Sequence, residues 1–122
     1  MFKDVLMVAM GSFLGGGLRY LISVLTSKVY SHSFPLGTFL VNVLGCFFIG
    51  LLYGYAEKHT EMSAGLLLLL TTGFCGGFTT FSTFINESAT LGKSQMLLSI
   101  LYMALSLLVG MVLLFFGKSL IR

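Results

Sequence analysis

Charge is what this sequence has least of. Of its 122 residues seven are Lys or Arg and four are Asp or Glu, 9% in all, where a soluble domain carries about a quarter. So few charges cannot cover a water-facing surface, and a soluble fold is excluded before any pattern is read. Tryptophan is absent, proline occurs once, and cysteine twice. Pro35 opens an apolar run, where a helix does not miss its N–H. Cys46 and Cys75 both fall inside apolar stretches, with no metal or redox spacing, and read as small packing residues with no disulfide. No nucleotide-binding motif occurs, so ATP is excluded as an energy source within this chain. Neither an enzymatic activity nor a nucleic-acid partner is expected. No internal repeat supplies the inverted halves of many transporters.

Hydrophobic length is what the chain does have. Four stretches, approximately 5–25, 34–55, 63–87 and 94–117, are apolar or neutral apart from Arg19 and Glu87. Each reaches the roughly 20 residues that a helix needs to cross about 30 Å of hydrocarbon. Lipid offers backbone groups no partner, and the runs lack the alternation of a membrane barrel, so helices are predicted. The fold expected is an all-α membrane protein, one four-helix domain over residues 1–122. The first stretch is expected to stay on the protein: it is longer than a signal h-region, contains Arg19 and lacks an A-x-A-like cleavage site. With four crossings, Lys3, Lys58, Lys118 and Arg122 share one side and Lys28 and Lys93 the other. That weak bias fits a conventional topology, and equally a chain that inserts both ways and pairs antiparallel. Glu57, Lys58, His59 and Glu61 read as a solvated turn. His59 and His32 fall in loops and are given no role.

The third stretch is chemically unusual. Thr71 to Phe84 holds three glycines and six hydroxyl residues in 14 positions. Gly76-Gly77 lowers helix propensity by up to about 1 kcal/mol per residue, and the following threonines compete for backbone hydrogen bonds. A break in the helix near Gly76 to Thr79 is predicted. Carbonyls freed there could hold a monovalent cation; the same small residues could instead serve close helix packing. Beyond the break, Phe81 and Phe84 share one helical face, and Thr80, Thr83 and Glu87 another. Aromatic rings carry a positive edge that can face an anion, and the hydroxyls of Ser82 and Thr83 could replace part of its hydration shell. Two phenylalanines at this spacing also suit an ordinary core.

The other stretches add narrower stripes. Asn42 places an amide at mid-membrane, with Thr38 one turn before it; an interhelical hydrogen bond or a functional contact would each account for it. Ser99, Tyr102, Ser106 and Gly110 recur at spacings of three and four. Gly11, Gly15 and Arg19 lie on one face, a close-packing pair followed by a charge that can anchor a helix end. No acid occurs between Asp4 and Glu57. Pathways for cations and proton-coupled exporters need carboxylates or carbonyl rings, whereas a donor-rich, acid-poor surface suits a small anion. A proton-coupled multidrug exporter of similar size lacks its first-helix carboxylate here. A scaffold subunit would explain the small residues, but not Asn42 and the stripes.

GFCGGFTTFSTF, from Gly73 to Phe84 and followed by Glu87, closely resembles the signature of the CrcB/Fluc family of fluoride channels. GTFLVNVLGCFFIG from Gly37 and GSFLGGGLRY from Gly11 are similar to its second- and first-helix motifs, and the motif order agrees over essentially the whole chain. The resemblance implies a dual-topology antiparallel homodimer, multi-pass in the inner (plasma) membrane of a microbial cell. Its function would be passive, fluoride-selective export that lowers fluoride toxicity. It implies Phe81 and Phe84 as aromatic box residues, Asn42 as an amide donor to fluoride, and Thr38, Ser82, Thr83, Tyr102 and Ser106 as polar track. Glu87 would lie near one mouth. A sodium ion, structural or activating and not transported, would be held at the dimer centre by the main-chain carbonyls of Gly76 and Thr79. Gly110 stands where some members carry a serine, so the lower track departs from the family pattern.

Overall fold

The computed structural model describes residues 1–121. Its elements are α1 (Phe2–Val29), α2 (Leu36–Lys58), α3 (Ala64–Leu68), a π-helical stretch (Leu69–Cys75), α4 (Gly76–Phe78), α5 (Phe81–Ser94) and α6 (Met96–Leu120). No strand occurs among the described residues. Four helical stretches, Phe2–Val29, Leu36–Lys58, Ala64–Ser94 and Met96–Leu120, are long and apolar enough to cross a membrane, so this is a multi-pass membrane protein.

The interior is thin because the surface has no need to be polar. Val41, Val43, Cys75, Phe78, Phe84 and Tyr102 are the buried hydrophobic residues, while Phe13, Leu107 and Phe115 stand exposed. Without a hydrophobic force between helices in lipid, close backbone approach has to supply the packing. Two seams do so. Along the first, α1 lies on the π-helical stretch and α4. A Cβ on Gly11 would come within 2.7 Å of the Phe74 amide nitrogen, and one on Gly77 within 2.7 Å of the Ser12 carbonyl oxygen. Along the second, α2 and α6 run side by side, with Gly50 against the Leu114 backbone and Gly117 against the Phe47 carbonyl.

Gly15 and Gly17 make a matched test of this packing. A Cβ on Gly15 would run into the Phe74 carbonyl, whereas nothing lies within 4 Å of one on Gly17. Gly15→Ala is expected to destabilise by about 1–3 kcal/mol through overpacking. Gly17→Ala is expected to be neutral or to stabilise by up to about 1 kcal/mol, since alanine is the better helix former. Thermal melting in detergent reads both; equal melting temperatures would show that the first seam is looser than described.

Candidate functional site

Two residues of the third span, just after its glycines, lie outside helical geometry. Gly76 is helical, at φ −63° and ψ −37°, and α4 runs on to Phe78. Thr79 (φ −89°, ψ 163°) and Thr80 (φ −150°, ψ 123°) are extended, and α5 begins at Phe81. What holds them extended is a residue on another helix. The Asn42 amide donates to the Thr80 carbonyl at 3.1 Å, and its oxygen accepts the Thr80 N–H at 2.8 Å. That N–H would otherwise close a helical turn onto the Gly76 carbonyl. Similarly, the Thr83 N–H, which would bond the Thr79 carbonyl in a continuous helix, donates instead to the Thr80 hydroxyl at 3.3 Å, an N-cap for α5. Gly76 and Thr79 thereby both lose the donors a regular helix would give them.

α1 steadies this region from the other side. Ser12 Oγ donates to the Gly73 carbonyl at 3.2 Å, and Arg19 Nε to the Gly77 carbonyl at 2.9 Å. The Arg19 guanidinium thus meets the carbonyl end of α4, where a positive charge is favoured. Gly45 on α2 makes room for the Thr79 methyl, which a Cβ there would strike. Single-residue spacing gave no sign of Gly45 or Ser12, since each acts through a distant stretch of chain.

Phe81 and Phe84, three residues apart at the start of α5, have ring centroids 6.1 Å apart at 47°. Their surroundings differ. Phe81 is 74% exposed, whereas Phe84 is 7% exposed and meets the Tyr102 ring edge-on at 5.1 Å. Phe34 holds the same tyrosine at 5.3 Å, also edge-on, so the Tyr102 ring is fixed between two aromatics. Its hydroxyl donates to Glu87 Oε1 at 3.0 Å, and Thr38 Oγ1 donates to Glu87 Oε2 at 3.1 Å. One carboxylate on α5 thus gathers a threonine from α2 and a tyrosine from α6. Beside it, Ser23, Thr26, His32 and Pro35 line an opening of about 180 Å³ that reaches Thr38 and Glu87.

A cleft of about 310 Å³ lies along the same face and brings together Asn42, Thr80, Phe81, Phe84 and Ser106. The Ser106 hydroxyl oxygen is buried without a hydrogen-bond partner among the described residues. Of the other expected track residues, Ser82 is exposed, its hydroxyl 3.5 Å from that of Thr80, and Thr83 is half-buried. Ser99 instead closes a packing contact, donating to the Ser88 carbonyl at 2.6 Å. No cluster of three or more His, Cys, Asp or Glu able to hold a metal occurs among the described residues.

Known proteins share this sequence pattern. The family model described as "CrcB-like protein, Camphor Resistance (CrcB)" matches residues 6–118. A Prosthecochloris aestuarii protein named "Fluoride-specific ion channel FluC" is 46% identical over 122 residues, covering 99% of this chain and 94% of its own. Proteins of the same name from Chlorobium phaeobacteroides and Flavobacterium psychrophilum are similar too. The first is 49% identical over 92% of this chain and 87% of its own, the second 44% over 89% of each. With its motifs matched from end to end, the chain belongs to the CrcB-like family.

Proposed function

We propose that this protein is a fluoride-selective channel, working as an antiparallel homodimer in the plasma membrane and letting fluoride leave the cytoplasm down its gradient. The observation that carries the reading is the meeting of Phe81 and Phe84 with Asn42 and Ser106 in one cleft, in a chain whose relatives bear a fluoride-channel name. Each group suits a small anion given up by water. The phenylalanine edges are positive without carrying a charge, and the amide and hydroxyls are donors. Asn42 has two amide hydrogens, and Thr80 takes one, leaving the second to donate. At the opening, fluoride would compete with the Glu87 carboxylate for the hydroxyls of Thr38 and Tyr102.

What one chain leaves open supports the pairing with a second copy. The cleft holds polar groups at mid-span, and lipid cannot satisfy them. Phe81, which lines it, is 74% exposed. A second copy in the opposite orientation would cover both, and the bias of basic residues between the two sides is weak enough to permit such insertion.

The sodium ion implied by the resemblance fits the donor set. The Gly76 and Thr79 carbonyls have lost their helical donors to Asn42 and Thr80, and hard oxygen ligands suit a monovalent cation. Two oxygens from each copy would make the site, and the bound ion would supply a fixed positive charge near the anion route. Ser12 and Arg19 hold the adjoining carbonyls of Gly73 and Gly77 in place.

Purified protein in liposomes loaded with potassium fluoride tests the function. With valinomycin to carry the counter-current and no pH gradient, a fluoride electrode is expected to record rapid efflux, and chloride-loaded vesicles no comparable chloride loss. Fluoride movement that requires an imposed proton gradient would point instead to a coupled exporter.

A further inference from the structure

The α2–α6 seam repeats itself every turn. Residues 38, 42, 46 and 50 of α2 are four apart, and so are residues 102, 106, 110 and 114 of α6, so neighbouring members of each series share a face of their helix. Thr38 and Tyr102 share the Glu87 carboxylate at the first level. Asn42 and Ser106 line the cleft at the second. At the fourth, Gly50 abuts the Leu114 backbone. The third level pairs Cys46 with Gly110, where a Cβ would lie 3.2 Å from the Cys46 sulfur and 3.9 Å from its Cβ. Cys46 also lines the cleft with Asn42, Ser106 and Phe84, and the Ser106 hydroxyl one turn away is buried and unpartnered. The missing side chain at Gly110 therefore leaves the space that the thiol occupies.

We infer that Cys46 is the last donor of the anion track, its S–H taking the place of the hydroxyl that Gly110 cannot supply. The inference rests on the fluoride-channel reading above. Cys75, in contrast, is buried at 1% exposure in the packing of the third span and is the control.

Fluoride efflux from liposomes tests this with five variants, each checked for the parental elution profile in detergent. Cys46→Ala is expected to slow efflux about twofold to fivefold, the loss of one weak donor. Cys46→Ser, nearly isosteric and a better donor, is expected to match or exceed the parent. Adding Gly110→Ser to Cys46→Ala is expected to restore the rate, because the new Cβ meets only the alanine Cβ and brings a hydroxyl from the opposite helix. Adding Gly110→Ala instead refills the same space without a hydroxyl and is expected to leave efflux as slow as in Cys46→Ala, whereas packing alone would restore it equally. Cys75→Ala is expected to conduct as the parent does. A parental rate in Cys46→Ala, a slower Cys46→Ser, a Gly110→Ser double variant no faster than Cys46→Ala, or a Gly110→Ala double variant as fast as the Gly110→Ser one would each overturn the assignment. A parent that moves no fluoride would overturn the channel reading itself, and this inference with it.

Discussion

Phe81→Ile and Phe84→Ile are each expected to cut fluoride efflux by at least about tenfold, with the double variant at the leak of protein-free vesicles. Isoleucine keeps most of the volume and apolarity but has no ring edge. If each edge contributes about 1–1.5 kcal/mol to a partly dehydrated anion, losing one is worth about a factor of ten. The two positions separate conduction from stability. Phe81 is 74% exposed in the single chain, so its replacement should cost the fold of each chain little and act on melting only through the contact between copies. Phe84 is buried against Tyr102, and its replacement should also cost about 1–2 kcal/mol of stability. Parental efflux in the double variant would remove the rings from the pathway.

Asn42→Ala is expected to have the largest effect on stability together with loss of conduction. It removes both partners of Thr80, leaving an N–H and a carbonyl unpaired where no helical bond replaces them. Each orphaned group costs about 1–3 kcal/mol. Asn42→Asp separates the contributions. Its carboxylate can still accept the Thr80 N–H, so less stability is lost, but it cannot donate to the carbonyl, and its charge opposes an anion. The expected order of melting temperature is parent, then Asp, then Ala, with neither variant conducting. An Asn42→Ala chain that melts with the parent would show that Thr80 is held extended by something else.

How much of this was legible beforehand depends on how far along the chain each cause lies. The four apolar stretches needed only composition, because every residue facing lipid reports the same solvent. Gly11 and Gly15 were legible from a spacing of four, and both lie against the third span. The glycine pair was a poorer guide to the backbone. Gly76 is helical, and the extended residues are Thr79 and Thr80, placed there by an amide 38 positions away. Propensity could locate a weak stretch but not the partner that exploits it. Phe81 and Phe84 were on one face in both readings, yet the sequence could not say that one is open and the other sealed against Tyr102. Cys46 was legible only as a small residue, because its meaning depends on the gap that Gly110 leaves on a helix read separately.

The even spacing of the α2–α6 seam bears on voltage. Levels four residues apart are about 6 Å apart along the axis, so one move between neighbouring donors crosses about a fifth of a hydrocarbon layer about 30 Å thick. At 100 mV a full crossing is worth about 2.3 kcal/mol per charge, and in a uniform field one such move about 0.5 kcal/mol. A bias of that size roughly doubles a single hop. A ladder of closely placed, uncharged donors would therefore give a current that rises gently with membrane potential, while the direction of net flow follows the potential and the ion gradient summed over the whole crossing.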